Sequence, residues 1–128
     1  MVEVGQAFSS RRKLSQDEFD LFARLSGDDN PIHVDHHFAR QTRFGRPVAH
    51  GMLLYGLICG LLGQHFPGAI QSQVNLIFPA PTFSGEELTI TAEVLAVDGK
   101  QVSLATTIRN PTGELTCDGQ TVLQLEAR

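Results

Sequence analysis

Apolar residues recur with two different periods along the chain, and the change of period predicts which segments are helices and which are strands. Residues 4–14 are predicted to form a first strand with a basic end. Apolar residues then follow the helical period over residues 16–25, where Ser15 and Glu18 fit a capping box. A short helix is predicted over residues 35–41. The first third of the chain is therefore expected to be one strand followed by helices.

Residues 50–65 carry apolar side chains at almost every position, which leaves hardly any polar face. A helix of this kind is expected to be enclosed by protein on nearly all sides. Gly56 and Gly60 lie one helical turn apart, and each costs about 1 kcal/mol of helix propensity. That cost is understandable if another backbone packs closely around this face of the helix.

The second half of the chain is rich in β-branched residues and turn signals, which predicts strands. Pro79 and Pro81 end the first of them, and Asp98-Gly99 is typical of a tight hairpin. The predicted strands cover residues 74–78, 88–97, 102–109 and 115–125. One strand, then helices, then a long antiparallel run is the order of an α+β fold and not of a parallel α/β sheet.

Composition and charge limit the class of protein. The 128 residues are 41% hydrophobic and 19% charged, as in a folded domain with its own core. The formal net charge is −4, and no Lys/Arg run is interleaved with aromatic residues, so a nucleic-acid partner is not expected. Without an internal repeat or linker, residues 1–128 are expected to form a single domain.

Cysteine usage and hydropathy predict a cytoplasmic protein that does not interact with membranes. Cys59 and Cys117 lie in apolar or strand-like sequence without CxxC spacing, so we expect both to be reduced and buried. The chain opens without a secretory signal pattern. Residues 48–64 lack Asp, Glu, Lys and Arg but contain four glycines, which favours a buried core helix over a membrane span of about 20 apolar residues.

The segment over residues 26–33 places two proton-transfer groups across a bend. Asp28 precedes His33 by five residues, and Asn30-Pro31 between them is a turn-initiating pair. Because proline restricts its own backbone and that of the preceding residue, the segment is expected to be a well-defined loop that is not helical. An acidic group and an imidazole at the two ends of a rigid loop are what acid/base catalysis requires.

Two longer motifs carry a resemblance to a known family. The sequence SGDDNPIH over residues 26–33 and the sequence FGRPVAHGM over residues 44–52 resemble the signature of the MaoC-like dehydratases, the (R)-specific enoyl-CoA hydratase family. Residues 78–88, with Pro79 and Gly85-Glu86, are similar to a strand-loop-strand of that family. The resemblance covers nearly the whole chain. It implies a hot-dog fold, in which an antiparallel sheet wraps around a central apolar helix, here with an extra helical overhang segment.

The resemblance also implies a reaction and its residues. The expected reaction is the reversible (R)-specific hydration of a trans-2-enoyl thioester to a (R)-3-hydroxyacyl thioester. Asp28 and His33 would act as a pair on one bound water, and the backbone N–H of Gly51, at the start of the central helix, would stabilise charge on the thioester oxygen. Asn30 and Pro31 would shape the loop. No cofactor is expected beyond coenzyme A as part of the substrate.

Three groups of side chains near these motifs allow more than one interpretation. Four residues of the central helix either line an acyl pocket or pack in the core: Met52, Tyr55, Cys59 and Leu62. Three arginines spaced three residues apart either contact the phosphates of coenzyme A or an acidic acyl carrier protein, or form a charged surface stripe: Arg40, Arg43 and Arg46. His50 either positions the start of the helix or is an ordinary packed side chain.

A metal site is not expected. His33, Asp35, His36 and His37 are close in sequence, but their spacing is not that of a zinc motif and no Cys or Glu completes it. His36 and His37 are instead expected to be solvated or to cap a short helix.

The partners expected are an acyl-CoA substrate and a second copy of the chain. A single hot-dog unit exposes a sheet edge and half of a binding groove, so we expect a homodimer with the thioester channel at its interface. Two other functions stay open: a hot-dog thioesterase and a non-catalytic domain that binds acyl thioesters. A thioesterase would place a carboxylate on the central helix, but residues 48–63 contain no Asp or Glu.

Overall fold

Five strands form one antiparallel sheet in the computed structural model, which describes residues 1–125. The strands are β1 Ala7–Lys13, β2 Ile70–Ile77, β3 Glu87–Asp98, β4 Gln101–Arg109 and β5 Leu115–Gln124. The helices are α1 Gln16–Ser26, α2 Pro31–Val34, α3 His36–Arg40 and α4 Gly51–His65. The strand order in the sheet is β1-β3-β4-β5-β2, so the first two strands of the chain form its two edges. This is the α+β hot-dog architecture that the sequence predicts.

The core lies between one face of the sheet and α4. Alternate residues of β3 and β4 face the helix, as the two-residue period of a strand requires, and they are almost completely buried: Leu88, Ile90, Ala92, Val94, Val102, Leu104 and Ile108. From α4 they meet Leu54, Ile58, Leu61 and Leu62. Each large side chain buried in this way stabilises the fold by about 1.5–3 kcal/mol before the cost of ordering it.

The first helix begins and ends as its sequence predicts. Glu18 donates its amide N–H to the Ser15 hydroxyl and accepts from the Ser15 amide, which confirms the capping box. At its other end Gly27 adopts a left-handed conformation, with φ of 82°, and its N–H bonds to the carbonyl of Ala23. Helices α1, α2 and α3 pack on one another between β1 and α4, and they form the predicted overhang.

The expectation that the loop contains no helix is wrong for its second half. Pro31–Val34 forms one helical turn, α2, with Asn30 as its N-cap. Proline breaks a helix when it lies in the interior, but at the first position its missing N–H has no intrahelical partner to lose. Pro31 therefore starts a turn here, and His33 projects from it.

The expectation that α4 is enclosed on nearly all sides is also wrong within one chain. Met52, Gly56, Gly60 and Gly63 form an exposed face, and a Cβ atom on Gly56 or Gly60 would meet no atom within 4 Å. The reason is geometric: a single sheet of five strands covers one side of the helix and leaves the other open.

Of the two cysteines expected to be buried, only one is buried in the structure. Cys59 is half-buried and Cys117 is buried, and both are free thiols. Burial raises the pKa of the Cys117 thiol to about 11. Within residues 1–125 no helix has the length and apolar character needed to cross a bilayer.

Gly119 tests the pairing between β2 and β5. A Cβ atom at this position would lie 2.0 Å from the carbonyl oxygen of Asn75 on the neighbouring strand. We expect Gly119→Ala to lower the free energy of unfolding by about 1–3 kcal/mol, because the strands must separate to admit the methyl group. Chemical denaturation measures this change. Gln120→Ala, at the next and exposed position of β5, is the matched control and should change the free energy of unfolding by less than about 0.5 kcal/mol. A Gly119→Ala variant as stable as wild type would contradict the register.

Candidate active site

The loop and turn over residues 27–34 bring Asp28 and His33 together. The Nε2 atom of His33 lies 3.8 Å from Oδ2 of Asp28. The Asp28 side chain is more than half exposed, whereas that of His33 is only 14% exposed. The separation is too long for a direct hydrogen bond, and one water placed about 2.8 Å from each atom would bridge them. The two residues predicted to act as a pair therefore lie close together, at a separation that one water would bridge.

His33 is held in one tautomer by its neighbour. Its Nδ1 atom lies 2.8 Å from the carbonyl oxygen of Val48. A carbonyl only accepts, so Nδ1 carries a hydrogen. In the neutral imidazole Nε2 is then the bare, basic nitrogen, and it is this nitrogen that faces Asp28.

His50 lies directly behind the pair and is almost completely buried, with 2% of its surface exposed. Its Nε2–H donates to the carbonyl oxygen of Asp28 at 2.9 Å, and its ring stacks on that of His33 with centroids 3.8 Å apart and planes 20° apart. The ring of Phe22, from α1, packs against it at 4.8 Å. Burial lowers the pKa of His50 from its ordinary value, outweighing the hydrogen bond to Asp28, which raises it.

The backbone of residues 48–51 joins these groups to the sheet. The N–H of Val48 donates to the carbonyl of Ile32 at 3.1 Å, and the N–H of Ala49 donates to the carbonyl of Thr82 at 2.8 Å. Val48 also forms an isolated β-bridge with Phe83. This segment therefore fixes the loop that carries Asp28 and His33 on one side and the connection between β2 and β3 on the other.

Gly51 is the first residue of α4, where amide N–H groups have no intrahelical acceptor and the helix dipole favours negative charge. A Cβ atom here would lie 2.7 Å from the ring of Phe78. The ring and the glycine border a cavity of about 270 Å³, which is also lined by Val48, Ala49, Leu54 and residues 79–82. A side chain at position 51 would collide with Phe78 at the wall of this cavity.

The residues predicted to shape the loop do so. The side-chain oxygen of Asn30 accepts the N–H of Ile32, which is the side-chain-to-backbone bond expected of it. His36 and His37 are exposed at the start of α3, and Asp35 caps that helix by accepting the N–H of Phe38.

The four residues proposed for an acyl pocket are not on the cavity beside Gly51. Cys59 and Leu62 line a separate cleft of about 90 Å³, and the hydroxyl of Tyr55 donates to Gln71 at 3.0 Å at the same end of the sheet. Met52 is 57% exposed on the open face of α4. Within one chain these side chains therefore do not form one continuous pocket.

The three arginines differ in their surroundings. The guanidinium of Arg43 lies 4.7 Å above the ring of Phe44, and both residues line the cavity beside Gly51. The guanidinium of Arg46 lies 4.1 Å above the ring of Phe83. Arg40 is exposed at the end of α3. Two of the three are thus held by aromatic rings near the cavity, as cation–π contacts allow.

His50 makes more contacts in the site than its sequence position suggests. Phe22 and Phe78 are two further residues of the site that the sequence alone does not single out. The signal for His50 is its position immediately before Gly51, at the N-cap of α4. Phe22 lies 28 positions before His50, and Phe78 lies 27 positions after Gly51, so only the packing of α1 and of the β2 end brings these rings to the site.

Among residues 1–125, one grouping has the composition of a metal site: Asp28, His33 and His50. Two of its four imidazole nitrogens already donate to backbone carbonyls, and Nδ1 of His50 is buried without a partner. This leaves one carboxylate and one nitrogen facing solvent, fewer than the three protein ligands of a typical catalytic zinc site.

Comparison with known proteins identifies the relatives of this chain. Residues 2–114 match the family model described as the MaoC like domain. The chain is 41% identical over 128 residues to an (R)-specific enoyl-CoA hydratase from Aeromonas caviae, with 97% of this chain and 96% of that protein covered. It is 36% identical over 131 residues to an (R)-specific enoyl-CoA hydratase from Rhodospirillum rubrum, with 99% and 90% covered.

The fold is similar to a solved structure of the same kind. That structure is described as the (R)-hydratase from A. caviae involved in PHA biosynthesis. It superimposes with a TM-score of 0.93 at 40% identity, and 98% of each chain is covered.

The low pKa of His50 predicts how stability changes with pH. In the unfolded chain a histidine titrates near pH 6.5, whereas in the folded protein burial holds the pKa of His50 lower. As the pH falls through about 6.5, the unfolded chain binds a proton that the folded chain does not, so the free energy of unfolding decreases. Between about pH 8 and about pH 5, the free energy of unfolding measured with urea should decrease more for wild type than for His50→Gln. Equal decreases would contradict the lowered pKa of His50.

Proposed function

This chain belongs to the MaoC-like domain family, and from that premise we propose that it catalyses the reversible (R)-specific hydration of trans-2-enoyl-CoA to (R)-3-hydroxyacyl-CoA. The observation that carries the proposal is the 3.8 Å separation of Asp28 and His33. The family model and the full-length similarity to two (R)-specific enoyl-CoA hydratases support the same reaction. The enzyme would be a hydro-lyase that works without a cofactor other than the coenzyme A of its substrate.

The reaction uses the pair on one water. The water is hydrogen-bonded to the Asp28 carboxylate and to Nε2 of His33. As its oxygen adds to C3 of the enoyl thioester, one O–H bond breaks and that proton passes to the pair, while the other hydrogen stays on the new hydroxyl group. The electrons of the C2–C3 double bond move toward the thioester carbonyl. A proton then returns from the pair to C2, so the net change is the addition of H and OH across the double bond. Dehydration follows the same steps in reverse.

Gly51 stabilises the charge that forms between the two steps. Negative charge builds on the thioester oxygen when water adds to C3, and the backbone N–H of Gly51 at the start of α4 is the proposed donor. The absence of a side chain lets the thioester approach this N–H next to Phe78. A donor of this kind contributes on the order of 10²–10³ in rate.

The two alternative functions lack comparable support. A thioesterase of this fold would need a carboxylate near the thioester carbonyl, and residues 48–63, which include most of α4, have no Asp or Glu. A non-catalytic binding domain would not need a base held in one tautomer opposite a carboxylate, as His33 is here.

The edges of the sheet support a homodimer that pairs through β2. Edge strand β1 ends in Arg11, Arg12 and Lys13, which is typical of an edge protected from pairing. Edge strand β2 instead exposes Ile70, Val74 and Ile77. An apolar edge of this length is a template for a second copy of the strand, related by a two-fold axis.

Dimerisation through β2 would complete the substrate channel. Phe78 follows β2 directly and borders the cavity beside Gly51, and the exposed face of α4 with Met52 is open in the single chain. A second copy would cover these surfaces and enclose the acyl chain, with Tyr55, Cys59 and Leu62 as its expected walls. Arg43, which lines the cavity, is the arginine best placed to meet coenzyme A phosphates.

Substitution of either member of the pair tests the reaction. We expect Asp28→Asn and His33→Gln each to lower kcat by about 10²–10⁴, because neither amide can take a proton from the water. The assay follows loss of enoyl absorbance with crotonyl-CoA and longer trans-2-enoyl-CoAs, with chiral analysis of the product.

Matched controls stand beside both positions. Asp29→Asn and His36→Gln change exposed neighbours and should leave the rate within about twofold of wild type. Near-normal turnover in Asp28→Asn or His33→Gln would remove that residue from the mechanism. An (S)-configured product, or free thiol released in place of a hydroxyacyl thioester, would contradict the proposed reaction.

A charge on the β2 edge tests the dimer. Val74→Lys places an ammonium group on the apolar edge, where its burial against a second copy is unfavourable. We expect this variant to be monomeric at concentrations at which the wild type is dimeric, as measured by analytical ultracentrifugation. Ser9→Lys makes the same change on β1 and should leave the dimer intact. A dimeric Val74→Lys together with a monomeric Ser9→Lys would show that the other edge is used.

A further inference from the structure

His50 contacts both members of the proposed catalytic pair, but its ring nitrogens are not placed to transfer a proton to the substrate. Its Nε2–H is used by the carbonyl of Asp28, and its Nδ1 is buried without a partner. Neither nitrogen is therefore free to exchange a proton with a water shared by the pair. The imidazole is nevertheless sandwiched at the centre of the site, between Phe22 and His33.

We propose that His50 is a positioning residue, a neutral imidazole that sets the place of Asp28 by a hydrogen bond and the place of His33 by ring stacking. The inference rests on the proposed hydration reaction and adds a residue that acts through both members of the pair. Without His50, the exposed loop at Asp28 would be held by local hydrogen bonds, from the Asp28 N–H to the Ser26 hydroxyl and from the Asp29 N–H to the Gly27 carbonyl.

The backbone of His50 extends this control to the third group. His50 is the N-cap of α4, and its carbonyl accepts the N–H groups of Leu53 and Leu54 at 3.1 and 3.3 Å. Gly51, the proposed oxyanion donor, is the next residue. A single residue thus connects the carboxylate loop, the imidazole base and the helix start by one hydrogen bond, one stacked ring and one peptide bond.

The surroundings of His50 favour its neutral form. A second ring hydrogen on Nδ1 would be buried without an acceptor, which costs free energy. The titratable groups that face His50 are His33 and Asp28, and Phe22 from α1 adds no charge. When His33 carries the proton during catalysis, a neutral His50 avoids two positive rings 3.8 Å apart. Of the two stacked rings, His33 is therefore the one that can carry the proton.

Two variants separate the hydrogen bond from the ring. His50→Phe keeps an aromatic ring against His33 and removes the donor to Asp28, whereas His50→Gln keeps an N–H donor and removes the ring. We expect each to lower kcat by about tenfold to a hundredfold, with KM changed far less, because the loss is one of alignment. His65→Gln, at the opposite end of the same helix, is the matched control and should match wild type.

Nuclear magnetic resonance of ¹⁵N-labelled histidine measures the tautomer of each ring. These tautomers would not change in the variants if His50 only stabilised the fold. In wild type at the assay pH, His50 should be the neutral Nε2–H tautomer, and the neutral form of His33 should be Nδ1–H. His33 should keep that tautomer in His50→Phe and become a mixture in His50→Gln, because loss of the stacked ring lets the His33 ring turn away from the Val48 carbonyl that fixes the tautomer. Binding of butyryl-CoA, a saturated analogue, checks that each variant is folded.

The outcomes decide between the inference and its alternatives. Unchanged kcat in both variants, a charged or Nδ1–H His50 in wild type, or a defect confined to KM would each overturn the positioning role. If a variant fails to fold, the wild-type tautomers decide alone. If wild type shows no hydratase activity, the proposed function fails, and the tautomers of His50 and His33 still test the positioning of the ring pair.

Discussion

The whole site depends on one buried connection, between the segment over residues 48–51 and the loop that carries Asp28. Within four residues this segment pairs with Ile32, Thr82 and the side chain of His33. The imidazole of His50 then bonds to the Asp28 carbonyl in a place that water does not reach. Because a buried hydrogen bond has no competing water, its loss costs more than that of an exposed one. The exposed carboxylate is thus placed by a group that is not exposed.

The position of α4 on the sheet explains why the site lies where it does. One side of the helix packs on β3 and β4 through Ile58 and its apolar neighbours, which fixes the axis of the helix. Its N-terminus is then held at the end of the sheet next to Phe78, where the N–H of Gly51 has no acceptor within the helix. The other side of the helix, with its glycines, stays open in the single chain. The apolar edge of β2 is also exposed, and it leads directly to Phe78 at the cavity beside Gly51. Both observations fit a site that a second copy completes.

Several local features were predictable because they depend on neighbours in sequence. The capping box of α1 and the hairpin between β3 and β4, where Gly99 has φ of 60°, are set by residues within a few positions of one another. The pairing of Asp28 with His33 belongs to the same class, since a short, bent segment joins them. Pro31 was misjudged because its effect depends on whether it begins a helix or interrupts one.

The sequence by itself therefore determined the α+β order of elements, the central apolar helix, the family motifs and the closeness of Asp28 and His33. Only the tertiary structure decided that α4 is covered on one side, that Phe22 and Phe78 reach the site, and that His50 is the residue between Asp28 and His33. The physical reason is the range of the interactions. Caps, turns and hairpins act over a few residues, whereas burial, ring stacking and the tautomer of a histidine depend on side chains from segments 15–30 positions apart.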